Sequence, residues 1–227
     1  MQNKIRVLGV SVFAAAVAFF LVWLFAFSGF SINANGQISI EERRISNSDS
    51  WELTLVNADN PVPDSWKSEY VELSNGEKVD ERIYPDLQKM FDDMRAQGVY
   101  PIVREGYRSK QRQEELLEAK TKEYENKGYS HSNALRTAKE TVAEPGTSEH
   151  ELGLSVDINA AGGYKNEDIY KWLEKNAYKY GFIMRYPSNK QSVTGIEYEP
   201  WHYRYVGKEA AKEMYESGVC LEEYLSK

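Results

Sequence analysis

The sequence predicts an α+β fold: a single compact domain with a small antiparallel sheet flanked by helices, set behind an amino-terminal transmembrane helix. Three observations lead to it. Segments with apolar residues at helical spacing are mixed with short strand-like runs, without the regular strand–helix repeat of a doubly wound sheet. No glycine-rich phosphate loop, zinc-finger spacing or internal repeat is visible. The 227 residues, 41% hydrophobic and 13% aromatic, suffice for one sizeable core once an apolar leader is set aside.

At the amino terminus, Lys4 and Arg6 precede an uncharged apolar run over residues 7–30, long enough to span the roughly 30 Å hydrocarbon core of a membrane. The run exceeds the roughly 7 to 15 apolar residues of a signal peptide. The expectation is an uncleaved single-pass anchor, with the basic end inside and the bulk of the chain outside. Ala26-Phe27-Ser28 is a passable cleavage site, and cleavage there would leave a secreted chain. Residues 31–50 turn polar, carry the cluster Glu41-Glu42-Arg43-Arg44, and read as a linker to a domain over 51–227.

Within that domain, residues 53–56 and 71–73 read as short extended pieces, the second leading into an Asn75-Gly76 turn. Pro61 and Pro63 exclude a helix interior or central strand between 57 and 63. Residues 84–97 place Leu87, Met90, Phe91 and Met94 on one helical face, with Pro85 in the first turn and Gly98 beyond the end. A strand over 99–104 leads to Arg108 at a strand-to-helix corner. Ser109 then caps a helix over 110–126, with Leu116, Leu117 and Tyr124 on its apolar face.

A third helix over 130–143 is expected to form a hairpin with it beside the cleft, His131 lying on the surface. It stops at Glu144-Pro145-Gly146. Further on come a strand over 154–158, a helix over 167–178 and a strand over 182–186. A loop over 187–195, another strand entered through Glu199-Pro200-Trp201-His202, and a last helix over 207–217 with Ala210, Ala211, Met214 and Tyr215 facing inward complete the domain.

A net charge of −7 leaves no basic field for phosphates and argues against nucleic acid as a partner. The single cysteine, Cys220, cannot form an intrachain disulfide, so the domain relies on its core and on any metal it binds.

Two of the three histidines lie in stretches with metal-site character. His150 precedes Asp157 by seven positions across Gly153, and His202 follows Glu199 by three. Two imidazoles and one carboxylate leave a zinc coordination position open, as a catalytic site requires, and the remaining carboxylate, Glu199, could act as base. Plain structural readings exist too: His150 capping a loop, Asp157 ending a strand, His202 in a half-buried aromatic strand, Arg108 in a surface turn. Spacing alone leaves both sets of readings open.

Longer segments carry more. Gly106-Tyr107-Arg108-Ser109 with Gln113, Pro145 through His150 to Asp157, Gly181 through Pro187, and Glu199 through Gly207 together resemble the VanY-type zinc D,D-carboxypeptidases. That family also takes in the related D,D-dipeptidases and peptidoglycan L,D-carboxypeptidases. The resemblance implies zinc held by His150, Asp157 and His202, with Glu199 as catalytic base. It implies that Arg108 meets the substrate carbonyl or its oxyanion, and that Gln113 and Ser148 contact substrate or support those that do. The implied partner is a peptidoglycan stem peptide ending in D-Ala-D-Ala. The implied reaction is release of its terminal D-alanine outside the membrane, in antibiotic resistance or in wall maturation. An L,D-carboxypeptidase trimming tetrapeptides and a non-catalytic wall-binding module are the alternatives. The chain departs from the family's usual wording at Glu105, where serine precedes Gly-Tyr-Arg, which puts substrate contacts near Arg108 in question.

Overall fold

The computed structural model describes residues 30–32, 38–40 and 50–226. Strand β1 (Phe30–Ile32) pairs antiparallel with β2 (Ile38–Ile40), a small hairpin within the stretch read as a linker. The expected membrane anchor falls, up to residue 29, outside the described residues. Among those described, no helix is long and apolar enough to cross a membrane.

Residues from Ser50 onward form one compact unit. It opens with a hairpin of β3 (Tyr70–Glu72) and β4 (Lys78–Asp80) around the Asn75-Gly76 turn. Helix α1 (Tyr84–Ala96) buries Leu87, Met90, Phe91 and Met94, the spacing that predicted it, and takes Pro85 in its first turn where no amide bond is lost. After β5 (Pro101–Glu105) comes α2 (Lys110–Asn126), started by Ser109, whose Oγ accepts the Arg112 N–H at 3.2 Å. It packs against α3 (His131–Ala138) as an antiparallel hairpin. The remaining elements are β6 (Ser155–Ala160), α4 (Asn166–Asn176), β7 (Phe182–Met184), the single turn α5 (Gln191–Thr194), β8 (His202–Tyr205), α6 (Lys208–Ser217) and α7 (Leu221–Leu225).

The principal sheet has four strands in the order β5-β6-β8-β7, every pair antiparallel. Because strand side chains alternate, its two faces have different fates. Val103, Val156, Ile158 and Tyr203 point to one face and join α1 and α4 in the main core. Ser155, Asp157, His202 and Arg204 point to the other, so the polar residues of two adjacent strands are gathered on one side.

Several expectations are corrected. Residues 53–56 are not a strand: a 3-10 turn covers Trp51–Leu53, and the carbonyls of Glu52 and Thr54 accept bonds from Arg204 instead of a neighbouring strand. The helix expected to reach 143 ends at Ala138, since the carbonyls of Glu140 and Ala143 are taken by Glu197 N–H and Gln113 Nε2 in place of further helical turns. Helix α4 stops at Asn176 and passes into a 3-10 turn over Ala177–Tyr180. Tyr215 is 49% exposed, stacked on Tyr178 at 3.9 Å between ring centroids rather than buried. Cys220 is free and buried, and His131 is on the surface against Glu125 as expected.

Candidate active site

Asp157 of β6 and His202 of β8 are directly paired across the sheet. His150 reaches them from a 3-10 turn (Glu149–Leu152) that Gly153 closes with φ 75. A side chain at Gly153 would also meet the Tyr70 ring at 2.8 Å, so the turn has both conformational and steric reasons for glycine. The His150 and His202 rings meet edge to face with centroids 4.8 Å apart.

A hydrogen bond on the far side of the His150 ring decides which of its nitrogens faces the site. His150 Nδ1 bonds the Gly106 carbonyl at 2.7 Å, which leaves Nε2 turned toward Asp157 Oδ1 at 3.5 Å. Gly106 has its own constraint: a Cβ there would lie 2.1 Å from the Lys78 carbonyl oxygen. His202 presents Nδ1 to Asp157 Oδ1 at 3.1 Å and to Glu199 Oε2 at 3.8 Å, while its Nε2 faces Glu149 Oε2 at 3.7 Å.

One donor atom from each of His150, Asp157 and His202 lies within 4.8 Å of the others. Asp157 Oδ1 is buried and has no hydrogen-bond partner, a costly state for a carboxylate oxygen. Nitrogen, nitrogen and oxygen donors around an unsatisfied anionic atom are what a zinc ion with an open position takes, so the residues present fit a metal.

Charge in the site is tightly coupled. Burial would raise the Asp157 carboxyl, but the two imidazoles outweigh it and hold it well below the usual range. Burial would lower His202, yet Asp157 and Glu149 lift it to about 9. In the metal-free protein a proton on His202 therefore offsets Asp157, and a divalent cation would displace that proton. Glu199, in the turn ahead of β8, is pushed up to about 7, first by burial and then by the Asp157 charge, against the pull of His202 and Arg108. A bound dication would draw it back down.

These groups open on a cleft of about 410 Å³, a size suited to a small ligand. Arg108, Gln113, Ser148 and Glu199 all line it, with Leu116 and Val142 from the α2–α3 side and Trp201 from the turn ahead of β8. Every site residue expected from the sequence is thus brought to one place. Arg108 Nε bonds Glu105 Oε1 at 3.0 Å, and its Nη1 bonds Gln113 Oε1 at 2.8 Å. Ser148 is buried at the start of the His150 turn.

Sequence reasoning missed the layer behind the imidazoles. Glu149, fully buried, accepts bonds from Arg185 Nε at 2.7 Å, Arg204 Nη1 at 2.8 Å and Ser155 Oγ at 3.0 Å, besides facing His202. Arg185 continues to Glu222 at 2.8 and 2.5 Å. Burial would raise Glu149, but the two guanidinium groups hold its carboxyl well below the carboxylate range. A signal was available: Arg185 and Arg204 stand among apolar and aromatic neighbours in strand-like runs, and a charge in such a run needs a buried partner.

Known proteins resemble the chain over most of this domain. The chain is 53% identical over 177 residues to a D-alanyl-D-alanine carboxypeptidase of Enterococcus faecalis, a match covering 78% of this chain and 66% of that protein. Among solved structures, a VanY from a VanB-type resistance cassette in complex with Zn(II) superposes with a TM-score of 0.76 at 53% identity, over 78% of this chain and 99% of that one. VanYB in complex with D-alanine-D-alanine gives 0.77 at 52% identity, over 78% and 99%. The L,D-carboxypeptidase LdcB gives 0.66 at 35% identity, over 87% and 94%. The family model described as VanY, D-alanyl-D-alanine carboxypeptidase, matches residues 76–208, more than half the chain and the stretch that carries Arg108, His150, Asp157, Glu199 and His202, and on that match the chain belongs to the VanY family.

Proposed function

We propose that this chain is a zinc-dependent D,D-carboxypeptidase that releases the terminal D-alanine from peptidoglycan stem peptides ending in D-Ala-D-Ala. The observation that carries the reading is the placement of a carboxyl, Glu199, 3.8 Å from a donor atom of a His-Asp-His set, all four residues lining one cleft. The VanY complexes with Zn(II) and with D-alanine-D-alanine support it.

His150, Asp157 and His202 would hold the metal, which when bound supplies Lewis acidity toward water and a carbonyl oxygen. The protein does the rest. Glu199 accepts a proton from the attacking water at its carboxylate and returns it to the leaving amine. Arg108, on the cleft wall, donates to the carbonyl oxygen as negative charge develops there. The α2–α3 hairpin walls the cleft on one side and limits water around the reacting atoms. Ser148, at the mouth of the His150 turn, supplies a hydroxyl to the substrate. An intact base beside the ligand set speaks against a pure binding module.

The likeness to LdcB favours a second reading, cleavage of an L,D bond in tetrapeptides with the same donor set and base. Incubating zinc-loaded protein with stem pentapeptide and with the matching tetrapeptide, and following released D-alanine by mass, separates them. Release from the pentapeptide alone establishes the D,D assignment, release chiefly from the tetrapeptide moves the chain to the L,D class, and release from neither refutes both. The apolar run over 7–30 supports a reading in which the domain is held at the outer surface of the cell membrane, and fractionation of cells making the full chain tests it.

A further inference from the structure

Glu105 stands in the row of the metal-binding residues without belonging to their set. Asp157 is paired with His202 on one side and with Glu105 on the other, so the three residues lie side by side across β5, β6 and β8. The pairing with Glu105 exists because β5 is irregular. Val103 pairs with Ile158 and Glu105 with Asp157, so β5 advances two residues where β6 advances one, and Arg104 is the extra residue of a bulge. In an unbroken ladder Glu105 would share the face of Val103 and point into the core. The bulge turns it to the face that carries Asp157 and His202.

A carboxylate placed there must be satisfied. Its Oε1 accepts the Arg108 Nε–H at 3.0 Å. On the other side of the guanidinium, Gln113 Oε1 accepts from Nη1 at 2.8 Å, while Gln113 Nε2 donates to the Ala143 carbonyl at 2.6 Å. Gln113 is 1% exposed, and both ends of its amide are engaged within the protein. The guanidinium is therefore gripped from two sides, with the Nη2 hydrogens left for the cleft that Arg108 lines.

We infer that Glu105 is a positioning residue: with Gln113 it orients Arg108 before substrate arrives, so that the Nη2 edge meets the carbonyl oxygen of the scissile bond. The inference rests on the carboxypeptidase reading above. It assigns Gln113 to Arg108 rather than to substrate. Glu105 balances the arginine's charge and leaves a directional donor suited to a carbonyl rather than a free cation. A donor fixed in advance need not be ordered in the transition state, which is where pre-organisation gains rate.

The test compares the zinc-loaded wild-type domain with Glu105→Ala, Glu105→Gln, Arg108→Ala and the double variant Glu105→Ala/Arg108→Ala. Zinc content and pentapeptide kinetics are measured on each, together with the arginine Nε–H resonances by NMR. Glu105→Ala is expected to keep zinc and KM while kcat falls about tenfold, the scale of one lost charge-assisted bond. Glu105→Gln retains an acceptor for Nε–H and is expected to stay within about threefold of wild type. In the Arg108→Ala background, removing Glu105 should change kcat no further, because Glu105 acts through Arg108. A protected Arg108 Nε–H signal should be present in wild type and Glu105→Gln and lost in Glu105→Ala.

Independent losses in the double variant, or a Glu105→Ala protein with wild-type kcat, would overturn the inference. If wild type released no D-alanine, the carboxypeptidase reading would fall by itself. The Nε–H signal would then still decide the grip: its persistence in Glu105→Ala refutes it, and its loss upholds it.

Discussion

Replacing Glu149 by alanine removes the countercharge shared by two fully buried arginines, and its cost can be worked from the contacts. Arg185 would keep its two bonds to Glu222, and Arg204 its bonds to the carbonyls of Glu52, Thr54 and Tyr205. Neither guanidinium is stripped of acceptors, so the loss is that of one broken buried pair, about 3–5 kcal/mol, rather than twice that. For a domain of this size that corresponds to a fall in Tm of roughly 6–20 °C, at about 2–4 °C per kcal/mol. Glu149→Gln, which keeps the shape and one acceptor oxygen, should fall between wild type and alanine.

The pH dependence has a definite sign. The Glu149 carboxyl binds a proton less readily in the folded than in the unfolded chain. Its contribution is therefore complete above the unfolded value of about 4.3 and is lost as the pH drops below it toward the folded value. Urea denaturation of metal-free protein at pH 7 and at several values below pH 5 reads both effects without the added stabilisation of bound metal. Both variants should show a flatter acid limb than wild type. An alanine variant within about 1 kcal/mol of wild type at pH 7 would refute the argument that the buried arginines depend on this carboxylate.

Other outcomes follow from the same geometry. Glu199→Gln should retain zinc and fold but lose at least about 100-fold in kcat, the usual weight of a general base; full activity would remove Glu199 from that role. In wild type, kcat/KM should rise with pH along an acidic limb at or below about 7, since the base must be ionised and bound metal lowers the value set by burial. His202→Ala should lose zinc as well as activity, seen by metal analysis after dialysis against a weak chelator. Gly106→Ala should destabilise the fold and weaken zinc retention together, because a Cβ 2.1 Å from the Lys78 carbonyl forces apart the backbone that holds His150 Nδ1, and a near-native melting curve would contradict this. Penicillin should leave D-alanine release intact while a chelator abolishes it, since no Ser-x-x-Lys nucleophile is present in the chain.

Local patterns carried the elements whose signals are local. The helix at 84–97 was legible because Leu87, Met90, Phe91 and Met94 repeat at helical spacing and Pro85 sits where an amide is not needed. The helix at 110–126 was legible through its Ser109 cap. Residues 53–56 looked extended by composition, but they follow a 3-10 turn, and Arg204 takes the carbonyls of Glu52 and Thr54. The helix from 130 overran because the partners that replace its last turns, Gln113 and Glu197, lie far away in sequence. Tyr215 fell on the helical face expected to be inward, yet it lies at the surface, stacked on the half-buried Tyr178 ring.

From the sequence came the class of fold and, through segments that resemble a known family, the candidates His150, Asp157, His202, Glu199 and Arg108, because runs of residues in order carry what the spacing of two histidines and a carboxylate leaves open. Only the tertiary structure decided how they act. Strand register put Asp157 opposite His202, the Gly106 carbonyl set which His150 nitrogen faces inward, and a bulge in β5 turned Glu105 out of the core toward Arg108. Register, tautomer and side-chain direction depend on which atoms from distant segments meet in space, and a one-residue slip reverses the face of every side chain in a strand.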